Sequence, residues 1–335
     1  MNILFSCAGR RNYLLQYFKT ALAGQGKVFA TDLSPFAPAM AEADQAFLVP
    51  RVDDPNYIDA VKKICQEHQV KLLVSLNDHE LPILAAAKQA FLDIGTTVIV
   101  SDLAVIELCF DKDKTENFAR KVGLKTPTTF TQLQPALDAI AAGTINFPLF
   151  VKPRWGSGSA GIERVESIQE LKLAWELNNI KLARWGLRTG EGQESGMLIQ
   201  QTLPGVEHGV DIVNDLQGNY QATFVKQKLG MRAGETDKAK SVELPAIVEA
   251  AKKISAELKH IGNLDCDFFV DGDDIYLLEM NPRFGGGYPF SAEAGVDTPA
   301  ALIAWAQGLQ PDPSWKDIKF GVVSAKCDRL VKVQA

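Results

Sequence analysis

The chain has 335 residues, 46% hydrophobic and 23% charged, with a net charge of −6. The length suggests two or three domains or lobes, and the composition excludes a disordered chain. The charge gives no footprint for nucleic acid or an anionic membrane, and no apolar run approaches the roughly 20 residues of a spanning helix. The start lacks the basic region of a signal peptide. The five cysteines (Cys7, Cys65, Cys109, Cys266 and Cys327) are scattered, so reduced thiols in a cytoplasmic protein are expected.

In chain order, residues 2–6 predict an apolar strand, and 12–23 a helix with Leu14, Leu15, Phe18 and Leu22 on one face. Strands at 28–31, 47–49, 72–75 and 97–100 alternate with helices at 57–66 and 82–90, and a Pro-rich loop spans 34–38. This order implies a mostly parallel sheet with helices on both faces. Residues 102–122 predict one helix ending at Gly123. A second region follows: a strand at 147–152, a Gly-rich turn at 156–161, a strand at 162–165, and a helix at 167–178 opened by a Ser167/Glu170 capping box. Residues 181–196 suggest a flexible loop. Strands at 197–201, 208–214, 221–225, 264–270 and 275–280, with a helix at 245–260, predict an antiparallel sheet.

The densest chemistry lies in residues 264–283. Two apolar strands flank an Asp-Gly-Asp-Asp turn, a hairpin signal. Folding about Asp273 sets Asp267 opposite Glu279, where like charges about 4.5–5.5 Å apart repel. Asn281 shares that face. Two carboxylates and an amide call for a cation between them, and hard oxygen ligands suit Mg2+ or Mn2+ with phosphates completing the shell. Arg283 follows, suited to an anion.

Gly156, Gly158 and Gly161 form a G-x-G-x-x-G set, but between two strands instead of strand and helix. That context fits a hairpin folded over phosphates, or an ordinary hairpin, better than a dinucleotide fingerprint. Lys152 closes the preceding strand, well placed for a phosphate; Lys112 alone reads as surface charge. Residues 197–211, with Glu207, form a strand–turn–strand crossing able to meet adenine and ribose, or a plain turn. Lys226, Lys228 and Arg232 lead into 233–238, which reads as a mobile lid or a solvated loop. Gly285, Gly286 and Gly287 admit close backbone approach or mark a turn. Gly9, Arg10 and Arg11, and Asn77, Asp78 and Glu80, lie at the carboxyl edge of the first sheet, where they could hold a substrate or serve structure.

In this order the motifs resemble the ATP-grasp superfamily over nearly the whole chain, most of all its carbamoyl-phosphate-synthetase large-subunit-like and biotin-carboxylase-like branch. The resemblance implies a fold of the α/β and α+β class: a Rossmann-like pre-ATP-grasp domain (1–105), then a two-lobed ATP-grasp module with an antiparallel sheet (small lobe 106–196, large lobe 197–310) and a C-terminal tail (311–335). It implies phosphate roles for Lys112 and Lys152, and a phosphate-covering loop with Gly156, Ser157, Gly158 and Gly161. Gln200, Gln201 and Leu203 fall on the adenine hinge and Glu207 on the ribose carboxylate. Asp267, Glu279 and Asn281 fall on the metal ligands, Arg283 on the arginine that steadies an acyl phosphate, and Arg232 on a catalytic loop. Gln200 departs from the usual acidic residue. A single grasp module excludes a complete carbamoyl-phosphate synthetase, and the bicarbonate pattern of biotin carboxylase is missing. The implied activity is an ATP- and Mg2+-dependent ligase joining a small-molecule carboxylate to an amine through an acyl phosphate, in a chain of a branch often dimeric. The alternatives are an ATP-binding regulatory or assembly protein without turnover and, weakly given Gly9 alone in the first turn, a nicotinamide-dependent oxidoreductase.

Overall fold

The computed structural model describes residues 1–156, 161–182, 184 and 196–333. The first strands and helices are β1 (Asn2–Ser6), α1 (Asn12–Leu22), β2 (Val28–Asp32), α2 (Pro38–Glu42), β3 (Gln45–Leu48), α3 (Tyr57–Glu67), β4 (Val70–Ser75), α4 (Leu81–Leu92) and β5 (Thr97–Ile99). Their parallel sheet has the order β3-β2-β1-β4-β5. The central strand is buried on both faces: Ile3 and Phe5 pack with Leu14 and Phe18 of α1, and Leu4 packs with Tyr57, Val61 and Leu73. Two-sided burial explains why β1 is a continuous apolar run. The strand order reverses between β1 and β4, so the loops after them form the crevice where α/β sheets usually take ligands.

Where one helix is expected over 102–122, the structure has two, α5 (Leu103–Phe110) and α6 (Lys112–Lys121). Asp111 breaks them apart. Its backbone is extended, and its carboxylate accepts from Asp113 N–H as the N-cap of α6. It also takes a two-point ion pair from Arg154. The break therefore docks the start of α6 onto the strand that carries Lys152.

A four-stranded antiparallel sheet follows, built from β6 (Thr129–Phe130), β7 (Leu149–Pro153), β8 (Glu163–Val165) and β9 (Met197–Gln201) in the order β6-β9-β7-β8, with α7 (Leu133–Ala141) and α8 (Ile168–Leu182). Ser167 Oγ accepts from Glu170 N–H as expected, while the Glu170 carboxylate reaches Glu166 N–H, one residue further upstream. The expected loop at 181–196 lies mostly outside the described residues.

The largest sheet is antiparallel: β10 (Val206–Asn214), β11 (Tyr220–Arg232), β12 (Glu235–Val242), β13 (Gly262–Asp271), β14 (Asp274–Asn281) and β15 (Val323–Ala325), in the order β14-β13-β10-β11-β12-β15. α9 (Pro245–Leu258), α5 and α6 cover one face, packing on Val210, Ile212, Leu264, Cys266, Phe268, Leu277 and Met280. α10 (Tyr288–Glu293) and α11 (Thr298–Ala306) follow β14.

Three expectations are corrected here. The stretch 233–238, expected to be a mobile lid or a solvated loop, belongs to a paired hairpin, β11–β12, turning at Ala233 and Gly234, both with positive φ; a two-residue turn with Gly second was its sequence signal. Lys226 is no lid cation: it is 1% exposed and ion-paired with Asp211. The tail contributes β15, an edge strand on β12.

Gly285 shows how tightly the sheet face meets the chain after β14. A methyl group there would stand 2.0 Å from the Asp265 carboxyl carbon. Gly285→Ala is expected to lower stability by about 1–3 kcal/mol, the usual cost of overpacking, read as a lower urea midpoint; an unchanged midpoint would mean that the loop yields freely.

Candidate active site

The site begins at the β13–β14 hairpin. Its turn residues are Gly272 and Asp273, with Gly272 at φ 57°. From the turn, Asp271 opposes Asp274 and Phe268 opposes Leu277. Leu278 is then one residue too many for the ladder, a β-bulge. Beyond it Asp267 opposes Glu279, Cys266 opposes Met280 and Asp265 opposes Asn281. The expected pair is present, although folding about Asp273 reaches it by a different path: the turn is one residue tighter, and the bulge restores the count.

Strand alternation then fills one face with charge. Asp265 and Asp267 of β13 lie beside Glu279 and Asn281 on one side, and beside Asp211, Gly209 and Glu207 of β10 on the other. β11 adds Lys226 and Lys228. Gly209, between Asp267 and Lys226 in the ladder, leaves room for both lysine stems: a methyl there would lie 3.3 Å from Lys226 Cε and 3.6 Å from Lys228 Cε. The Lys228 ammonium bridges Glu207 Oε1 at 2.6 Å and Asp267 Oδ1 at 2.7 Å. Lys228 was read as a lid cation; it is part of the site floor.

Arg283 sits where the first sheet meets this face. It is 9% exposed. Its guanidinium makes two parallel bonds to Asp78, at 2.9 and 3.0 Å, and a third to Asp265 at 3.2 Å. The loop after β4 therefore orients it, and Asp78 has a structural partner. Glu80, by contrast, turns inward to accept from Tyr57 and Ser75 hydroxyls at 2.6 Å each.

Lys152 approaches from the small sheet, and Lys112 from the start of α6, which packs on the large one. Lys112 opens α6 and donates to the Gly156 carbonyl at 2.7 Å. Lys152 on β7 is 5% exposed. Burial and the neighbouring Lys112 charge pull its pKa down to about 8. Burial pushes the Glu279 carboxyl up, but Lys112, Lys152, the Asn281 Nδ2 bond and Arg283 outweigh it and hold the group below its usual range. Asp267 goes the other way. Burial pushes it up to about 7, opposed by Lys228 and reinforced by Asp265, Glu207 and Glu279.

The remaining expected residues divide. Gln200 and Gln201 lie in the inner strand β9, where Gln200 Nε2 donates to Thr129 Oγ1 and Gln201 N–H to Thr128 O, each at 2.9 Å. Leu203 follows the strand end and is 9% exposed. Gly161 has φ 71°, and its carbonyl accepts from Asn178. Ser157 and Gly158 lie outside the described residues. Arg232 is not brought to the carboxylate pair: its partners are Asp237 on β12 and Asp328 in the C-terminal segment, with half of its side chain exposed. Asp265 was missed, although it shares the parity of Asp267 and was readable on that ground.

Asp267, Glu279 and Asn281 offer only hard oxygen donors, as Mg2+ or Mn2+ requires. Among the described residues no three histidine, cysteine or acidic side chains group as a metal site. Two carboxylates and one amide oxygen would leave the remaining positions of such a cation to phosphate or water.

The chain is similar to several known proteins. Residues 3–99 match the family described as PylC-like, N-terminal domain, and residues 193–326 match ATP-grasp in the biosynthetic pathway with Ter operon. The carbamoyl phosphate synthase large chain of Helicobacter pylori is 24% identical over 259 residues, 75% of this chain, but the chain spans only 23% of that protein. The fold matches biotin carboxylase of Campylobacter jejuni in its βγ-ATP complex at a TM-score of 0.74 and 18% identity, covering 96% of this chain and 74% of that one. It also matches the L-amino acid ligase of Bacillus licheniformis at 0.68 and 19%, covering 95% and 77%. Residues 193–326 thus carry an ATP-grasp match, and the chain is similar to the carbamoyl phosphate synthase large chain in sequence and to biotin carboxylase in fold.

The charge states set a pH window. Asp267 holds its proton below about pH 7 and Lys152 loses its proton above about 8. A cation needs the first ionised, and a phosphate needs the second protonated. Calorimetric affinity for magnesium tripolyphosphate is expected to peak between these values, falling toward about tenfold per pH unit on either side. Lys152→Arg should remove the alkaline fall; a flat profile in the unaltered protein would refute the assignment.

Proposed function

We propose that the chain is an ATP- and Mg2+-dependent carboxylate–amine ligase of the amino-acid type, with ATP held between the small and large sheets. The observation that carries this reading is the convergence of Lys112, at the start of α6, and Lys152, on the small sheet, upon Glu279 of the large one. Two cations beside a carboxylate suit a polyphosphate carrying its own metal. The ATP-grasp match over residues 193–326 and the similarity of fold to an L-amino acid ligase support the same reading.

In this reading Lys112 and Lys152 hold the phosphates near Gly156. Gln200, Gln201 and Leu203 border the adenine, and Glu207 takes the ribose, which requires Lys228 to release it. Asp267, Glu279 and Asn281 would hold Mg2+, or Mn2+, which when bound offsets phosphate charge. A substrate carboxylate oxygen attacks the γ-phosphorus and ADP departs. The amine nitrogen then attacks the acyl carbon, phosphate leaves and the nitrogen loses a proton. Arg283, fixed by Asp78 and Asp265, is placed to stabilise charge on the acyl phosphate. Arg232 lies outside this geometry and has no assigned step.

Coupled ADP release with pooled carboxylates and amino acids tests the proposal. Asp267→Ala and Glu279→Ala are each expected to lower metal-dependent ADP formation on the order of 100-fold, whereas Arg232→Ala should change it less than about threefold. Undiminished turnover in the first two variants would overturn the assignment.

A further inference from the structure

At the crevice between β1 and β4, a second charged group lies beside the proposed phosphoryl site. The loop after β1 contributes Arg11, whose guanidinium donates to the Phe284 carbonyl and stands 4.0 Å from Glu235 Oε1. Lys326, just past β15, pairs with the other Glu235 oxygen at 3.0 Å. Glu235 lies so close to the chain after β14 that a methyl on Gly286 would come within 2.9 Å of it. Half of its side chain is exposed, so a ligand can reach it.

Tyr13 supplies an independent observation. It follows Arg11 at the start of α1, and its hydroxyl is buried with no hydrogen-bond partner among the described residues. Burial pushes its pKa up, Arg11 pulls it down, and Glu235, Asp265 and Tyr17 push it up further. A buried hydroxyl left without a partner carries a desolvation cost that a ligand can remove. Asp265 links this cluster to Arg283 and, through the ladder, to Asn281.

The signs select the ligand. A simple anion would find both cations held by Glu235 and would meet its repulsion. A simple cation would meet Arg11 and Lys326. A zwitterion exchanges both partners at once, its carboxylate going to Arg11 and Lys326 and its ammonium to Glu235. We infer that the Arg11–Tyr13–Glu235–Lys326 cluster is the binding site for an α-amino acid, recognised through its α-carboxylate and α-ammonium together. This assignment rests on the ligase reading above.

Its test uses the full chain saturated with Mg2+ and a non-hydrolysable ATP analogue, with each of the twenty proteinogenic amino acids titrated by calorimetry. At least one should bind, and its N-acetyl and carboxamide derivatives should each bind at least tenfold more weakly. Glu235→Gln should weaken the amino acid at least tenfold while improving binding of the matching deaminated carboxylate, a reversal that simple misfolding would not produce. Tyr13→Phe should cost a few-fold. Both variants should keep nucleotide affinity within twofold. If nucleotide binds but no amino acid does, if the blocked derivatives bind equally well, or if Glu235→Gln changes neither affinity, the site assignment is overturned. If the unaltered protein binds no Mg2+–nucleotide, the ligase reading itself falls, and this one with it.

Discussion

One face of the six-stranded sheet brings together Glu207, Asp211, Asp265, Asp267 and Glu279 on three adjacent strands. Such a face needs cations. Lys226 answers Asp211, Lys228 answers Glu207 and Asp267, and Arg283 answers Asp265. Among the described residues, Glu279 has no direct ion pair. Its charge is offset by Lys112 of α6 and Lys152 of the small sheet. The two sheets are thereby coupled through an electrostatic demand that neither meets alone, a natural place for a metal–polyphosphate ligand.

Buried ion pairs of this kind contribute little net stability, because desolvation offsets most of the attraction. Their value is geometric. Arg283 and Asp78 meet in a two-point pair across 205 residues of sequence, which ties the crevice of the parallel sheet to the charged face of the antiparallel one. Gly285 and Gly286 let Asp265 and Glu235 lie against the connecting chain. A chemical centre and a substrate crevice, formed by different folding units, become neighbours in this way.

The parallel sheet and the hairpin of Asp267 and Glu279 were legible because each rests on local pattern: continuous apolar runs for buried strands, and a turn signal between alternating strands. The break at Asp111 was less legible. It depends on Arg154, 43 residues away, as much as on helix capping. Lys226 and Lys228 were misread because nothing local separates a lysine facing solvent from one facing a carboxylate on the next strand. The hairpin at 232–235 was hidden by its charge, since its inward positions are small or polar, among them Thr236, Ala239 and Ser241. Arg232 shows the reverse problem: its neighbourhood in sequence matched a catalytic loop, while its partners Asp237 and Asp328 hold it at the rim.

The bulge at Leu278 bears on how such sites can be found at all. It makes Leu277 and Met280, three apart, both point into the core, while Glu279 stays opposite Asp267. If that one residue were removed, the ladder would run straight from the turn and the same two carboxylates would still face each other. The distance between them along the chain can therefore change by one without altering the chemistry. A fixed-spacing motif search would divide such proteins into separate groups, whereas a search for opposed acids on a hairpin would keep them together.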